Sequence, residues 1–261
     1  MDLVAEPDVF EGAMRIARVE YPAVNVRLYR QRLDDLAAKA AKTVSGKGRR
    51  AFAHLNSFFF DGEGFHGNAE EYYDPRNSYL NDVIDRRTGI PITLSTVYCE
   101  IARRLGIPAF GVGFPGHFLV KCILGRSEAI LDCFTGRILT RDDCSDLLES
   151  MQMGTLRLTD QMFAIATPSS ILSRMLNNLR RIHAGRGEFP RAIQWTQLEM
   201  ELRPGDPAPF RERGMLYVQT EEFGKAMVDL ERYLRLFPKA PDQEQVREQM
   251  RLLGKLLSHL N

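Results

Sequence analysis

The chain of 261 residues carries 35 basic and 34 acidic side chains, and a formal net charge of +1 leaves no electrostatic footprint for nucleic acid or an anionic membrane. Hydrophobic residues at 44% and charged residues at 26% form an ordinary globular mixture, which excludes disordered and collagen-like classes and allows one large domain or two modest ones. No apolar run approaches the ~20 residues of a membrane span, and Met1 to Glu6 lacks the basic and apolar regions of a secretory leader.

The apolar face of Val9, Phe10, Met14 and Ile16 predicts a helix. Tyr21-Pro22 interrupts it, and Val26, Leu28, Leu33 and Leu36 resume it to about residue 43. Ser45-Gly46-Lys47-Gly48 reads as a linker, because it lacks the first glycine and the Ser/Thr after lysine of a phosphate loop. A helix then carries Phe52, Leu55 and Phe58 to Phe60 into a long polar stretch, Asp61 to Asp85. Its glycines, Tyr72-Tyr73-Asp74-Pro75 and Asn77 predict an ordered, solvated loop packed by aromatics. The carboxylates there do not follow the spacing of a calcium loop, so no metal is expected.

Pro91 to Leu105 has the clearest helical pattern. Pro91 suits the first helical position, Leu94, Val97, Tyr98, Ile101, Ala102 and Leu105 make a buried face, and Gly106 caps the end before Pro108. Extended runs over 109–114, 117–124 and 129–134, parted by Pro115-Gly116 and Gly125-Arg126-Ser127, predict a small antiparallel meander, closed by a helix over 141–150. The first module is therefore α+β. The cysteines Cys99, Cys122, Cys133 and Cys144 form no C-x-x-C pair, and are expected to be reduced core thiols of a cytoplasmic protein.

From Ile171 a repeat takes over. Glu188-Phe189, Ala192, Leu202 and Pro204 recur 34 residues later as Glu222-Phe223, Ala226, Leu236 and Pro238, the period of tetratricopeptide repeats. The pattern predicts helices at about 171–184, 189–202, 208–219, 223–236 and 242–257, an all-α array of two hairpins and a capping helix. Asn177, Asn178, Arg181 and Arg211 fall on the first helices of the hairpins, which form the concave face. They are the candidate contacts for a protein or peptide partner. Trp195 reads as packing.

One constellation could carry chemistry. A helix, a strand bearing His117 and a strand ending in Asp132 follow the order of a thiol acyl-transfer site, and the turn near Gly125 brings His117 and Asp132 to one end of a hairpin. As a bland alternative, His117 is a bonded strand histidine and Asp132 starts the turn toward Thr135-Gly136. Cys133, next to Asp132, is expected on the opposite face.

The segments Glu63 to Asn68, Tyr72 to Ser78, Asp85 to Ile92, Leu105 to Pro108 and Gly113 to Phe118 resemble the transglutaminase-like superfamily, and more closely its SirB-type branch, which joins such a papain-like domain to tetratricopeptide repeats. The resemblance implies a helical segment over 1–50 packed on the core, a transglutaminase-like domain over 51–168 and repeats with a capping helix over 169–261. It also implies a nucleophilic cysteine two residues after a glycine at the start of the helix that ends in Leu-Gly-Ile-Pro. Here that position is Pro91, which cannot attack a carbonyl. A helix N-terminus would favour thiolate, whereas Ser95 lies roughly 6 Å and Cys99 roughly 12 Å further along. The expectation is a degenerate, non-catalytic domain that needs no cofactor. The alternative is a hydrolase or acyltransferase using Ser95 or Cys99 with His117 and Asp132.

Overall fold

A computed structural model describes residues 8–151 and 156–260 of the chain, so the amino-terminal stretch read for a leader lies outside them. The chain divides into two compact units, residues 1–175 and 176–261.

In the first unit α1 (Val9–Glu20) starts on Asp8, whose carboxylate accepts the Glu11 N–H at 2.9 Å. α2 (Val26–Ala40) starts on Asn25 in the same way. A side-chain oxygen thus satisfies a backbone donor that has no partner inside either helix. The break at Tyr21-Pro22 falls between them. α1 buries Phe10, Met14 and Ile16, and α2 packs Leu33 and Leu36 toward the central helix α5 (Pro91–Arg104).

α3 (Arg49–Asn56) runs into a π-helical turn, Ser57–Gly62. The turn buries Phe58 and Phe59, and Phe59 stacks on Phe65 at 4.2 Å and meets Tyr98 edge-on at 5.2 Å.

The segment 61–85, expected as a loop, is more regular than that. β1 (His66–Gly67) pairs in parallel with β2 (Thr88–Gly89), a 3-10 turn covers Pro75–Asn77, and α4 (Leu80–Arg86) ends on Arg87 at φ +59°. Seven residues hold too little periodicity for α4 to stand out of its polar surroundings. Of the carboxylates there, Glu63 pairs with Lys39 and Arg87, and Asp74 with Arg76 and Arg86.

α5 has Pro91 at its first position, and every residue from Pro91 to Tyr98 is buried, so this half of the helix is enclosed on all sides. Against it lies an antiparallel meander of β3 (Ala109–Val112), β4 (Leu119–Leu124), β5 (Ser127–Asp132) and β6 (Arg137–Leu139). β6 is a fourth strand beyond the predicted three; three residues are too few for alternation to reveal. α6 (Arg141–Ser150) opens with a capping box between Thr140 and Asp143, and α7 (Pro168–Gly185) runs across the boundary between the units in sequence.

The second unit realises the repeat in its backbone. α8 (Phe189–Leu202) and α10 (Phe223–Leu236) lie 34 residues apart. Their capping residues share their angles: Glu188 has φ −84° and ψ 56°, Glu222 φ −83° and ψ 56°. Ala192 and Ala226 are both fully buried in the core of this unit. α9 (Ala208–Gln219) lies between α8 and α10, and α11 (Gln243–Leu260) packs on α10.

A candidate site around His117 and Asp132

β4 and β5 pair with Val120 opposite Leu131. In that register Asp132 falls opposite Leu119, and His117, two residues further along, lies on the same face. The side chains meet: His117 Nε2 and Asp132 Oδ1 are 3.0 Å apart. Gly116 at φ +68° turns the chain just before the histidine, and a Cβ there would stand 2.3 Å from the Met151 sulfur.

Asp132 is 4% exposed and fully engaged. Besides His117, the Phe134 N–H donates to Oδ1 at 2.9 Å and the Thr135 hydroxyl to Oδ2 at 2.8 Å. Burial pushes its carboxyl pKa up, but the His117 hydrogen bond and charge and these two donors outweigh that and hold it below the usual value. An ionised Asp132 takes a proton-bearing Nε2 as its partner, which orients the ring. Nδ1 of His117 has no hydrogen-bond partner among the described residues. It is the nitrogen left to receive or deliver a proton.

The N-terminus of α5 connects to this pair through a short chain of backbone bonds. Gly67 N–H donates to the Phe134 carbonyl at 3.1 Å, Asn68 N–H donates to the Gly89 carbonyl at 3.0 Å, and Gly89 leads through Ile90 into Pro91. Gly67 is required for this approach, since a Cβ on it would sit 2.4 Å from the Phe134 ring. Asn77 braces the same corner. Its amide donates to the Glu71 and Tyr72 carbonyls, and its own carbonyl accepts the Thr93 hydroxyl at 2.7 Å. Tyr72 then meets Phe134 edge-on at 5.7 Å.

Pro91, at the position where the resemblance implies a nucleophile, offers neither thiol nor hydroxyl. Ser95 is completely buried and does not bond His117. Its hydroxyl lies against the Cys133 thiol, close enough to ease that thiol's ionisation yet not aligned as a hydrogen bond. Cys99 reaches solvent only in part, and burial pushes its thiol well above the ordinary value. Burial does the same to Cys133, and raises Cys122 to about 12. Thiols in such surroundings stay protonated and unreactive.

The structure therefore brings His117 and Asp132 together and leaves Ser95 outside their hydrogen bonds. Local pattern did not reveal Thr135, Asn77 or Arg174. The Arg174 guanidinium reaches from α7 to the His117 carbonyl at 2.6 Å and the Phe114 carbonyl at 3.3 Å, across 57 and 60 residues of sequence. The one available signal was Thr135 three residues after Asp132, a common turn-forming spacing.

In the second unit, Asn177 Oδ1 accepts from Arg180 at 2.6 Å. Arg211 bridges within the array: it bonds Glu212, and its Nε lies against Asp242 as an ion pair without hydrogen-bond alignment. Arg181 is exposed and Asn178 partly so, and neither bonds a described residue. Arg213 and the buried Asp229 form a two-pronged bond at 2.7 and 2.8 Å between α9 and α10.

Comparison with known proteins agrees with this architecture. The transglutaminase-like superfamily matches residues 27–177, and a tetratricopeptide repeat matches residues 179–251. A UPF0162 protein of Xylella fastidiosa is 36% identical over 245 residues, covering 90% of this chain and 86% of that protein. A UPF0162 protein of Pseudomonas aeruginosa is 33% identical over 248 residues, 93% and 90% of the two chains. Human F-box only protein 21 is 35% identical over 134 residues, which is 48% of this chain and 20% of that one. The chain belongs to the transglutaminase-like superfamily and, by its kinship over nearly its whole length, to the UPF0162 family.

Proposed function

We propose that this chain is a non-catalytic, SirB-type member of the superfamily, acting as a protein-interaction or regulatory module whose tetratricopeptide repeats hold a protein or peptide partner. The observation that carries the proposal is Pro91 at the first position of α5, where a thiol would gain the help of the helix N-terminus. The neighbouring thiols have raised pKa values and so supply no substitute. Arg181 and Asn178 are the partner contacts of this reading; Arg211 contributes through the shape of the array, being engaged with Asp242 and Glu212. A cytoplasmic setting suits the four free cysteines, and no helix among the described residues is long and apolar enough to cross a membrane.

The test has two arms. Peptide thioester and glutaminyl probes are expected to leave no acyl-enzyme. A partner recovered with the full chain is expected to be lost on Arg181→Glu while circular dichroism stays unchanged. Recovery that survives Arg181→Glu and Asn178→Asp would move the contact surface away from the first helices of the hairpins.

A second reading, a hydrolase or acyltransferase, is favoured by one observation: the 3.0 Å bond between His117 and an ionised Asp132. It requires Ser95 or Cys99 to become accessible. Stoichiometric acylation that disappears in Ser95→Ala or Cys99→Ala would establish it.

A further inference from the structure

The Arg174 guanidinium is held next to the His117–Asp132 pair by neutral oxygens. Nη2 donates to the carbonyls of His117 and Phe114, and the group lies over the Phe118 ring at 5.6 Å. No described carboxylate pairs with it. Among the described residues, the Tyr72 phenol is the one ionisable group whose charge bears on it, and burial lowers its pKa without making it other than a cation. Two of the five guanidinium N–H groups are occupied by the carbonyls, which leaves Nε and Nη1 as donors. A Cβ on Gly113 would come 3.4 Å from Nη1; Gly113 is exposed and Arg174 half-buried, so this nitrogen lies beside an exposed residue that has no side chain.

The surroundings describe the rest of a subsite. Tyr72 and Tyr73 meet edge-on at 5.2 Å and are 38% and 70% exposed. Tyr72 also contacts Phe134, whose N–H holds Asp132. An aromatic shelf, a cation with no described counter-ion and an imidazole whose Nδ1 has no described partner thus occupy one corner of the first unit. Aromatic faces take planar groups such as peptide bonds and rings, and a cation whose partners are neutral takes an anion through charge-assisted hydrogen bonds.

We infer that this corner is a carboxylate-binding subsite: Arg174 Nη1 takes the carboxylate of a peptide-like ligand whose adjoining planar group rests on Tyr72 and Tyr73. The ligand binds without bond making or breaking, so the inference stands apart from the partner surface on the repeats and from the absence of a nucleophile.

The probe is N-benzoylglycine, which carries a ring, an amide plane and a terminal carboxylate, titrated into the full chain by calorimetry or ligand-observed NMR. Saturable binding is expected, weaker by at least about tenfold for N-benzoylglycinamide and for Arg174→Gln, as befits loss of a charged hydrogen bond. Tyr73→Ala is expected to weaken binding several-fold. Because Arg174→Gln also releases two carbonyls and can disturb the fold, Gly113→Ala supplies an independent check. Gly113 is not among the left-handed residues, so alanine fits the backbone while its methyl group covers Nη1. It is expected to weaken binding with an unchanged circular dichroism spectrum. The α-amide of N-benzoylaspartate separates a side-chain carboxylate from a chain-terminal one, and binding of either supports the subsite. Equal affinity for acid and amide, absence of saturable binding, or unchanged affinity in both Gly113→Ala and a folded Arg174→Gln would overturn it.

Discussion

The two sides of the candidate site differ in what each has kept. On the strand side, Asp132 is buried, ionised and bonded by three separate donors, and it fixes the ring of His117. On the helix side, α5 begins with a residue that has no reactive atom, and it is packed tightly from Pro91 to Tyr98. The strand side retains the geometry that orients an imidazole. The helix side offers a closely packed scaffold whose first residue, Pro91, carries neither thiol nor hydroxyl. The Asp132 network also ties the turn after β5, through the Phe134 N–H and the Thr135 hydroxyl.

That difference can be broken from the strand side first. Asp132→Ala removes the acceptor of the Phe134 N–H, the Thr135 hydroxyl and the imidazole, and leaves buried donors unpaired. It is expected to cost about 3 kcal/mol, readable as a shift in the urea midpoint. A loss below about 1 kcal/mol would mean that water replaces these bonds and that the turn does not depend on Asp132. Gly67→Ala drives a methyl group into the Phe134 ring and is expected to cost about 1–3 kcal/mol, the range for overpacking. An unchanged midpoint would show that Phe134 moves aside freely, loosening the link between Asp132 and the start of α5.

The acid limb sharpens the comparison. The carboxyl pKa of Asp132 is lower in the folded chain than its ordinary value. Its contribution to stability is therefore complete above the unfolded pKa and is lost as pH falls through the folded one. Between about pH 5 and pH 2, wild type is expected to lose more stability than Asp132→Asn, which has no carboxylate to protonate. Parallel curves for the two proteins would contradict the ionised, hydrogen-bonded state assigned to Asp132.

How far the sequence carried these conclusions depended on the range of the signal. α8 and α10 were legible to the residue, because the 34-residue period and the Glu-Phe start repeat, and the backbone repeats with them. That His117 and Asp132 fall at one end of a hairpin was legible from element order and the turn near Gly125, whereas the strand register that lets them bond came from the structure. β6 and the π turn at Ser57–Gly62 escaped because each is too short for periodicity to detect. Arg174 escaped for another reason: its partners are backbone carbonyls 57 and 60 residues away, and no spacing rule encodes such a contact.

The smallest structural change tests the largest claim. Pro91→Cys alters one side chain at the start of α5 and is expected to leave the fold intact. The measurement is the rate of thiol alkylation by iodoacetamide at neutral pH, read site by site by mass spectrometry, with peptide thioester acylation followed in parallel. In wild type, Cys99, Cys122 and Cys133 are expected to react far more slowly than free cysteine, since burial raises all three, and no acyl-enzyme should form. Pro91→Cys adds a thiol that the start of α5 favours as thiolate but that the packing encloses, so it is expected to react faster than Cys99, Cys122 and Cys133 yet more slowly than free cysteine. Stoichiometric acylation of the wild-type protein, abolished by Ser95→Ala or Cys99→Ala, would contradict the account and restore an enzyme.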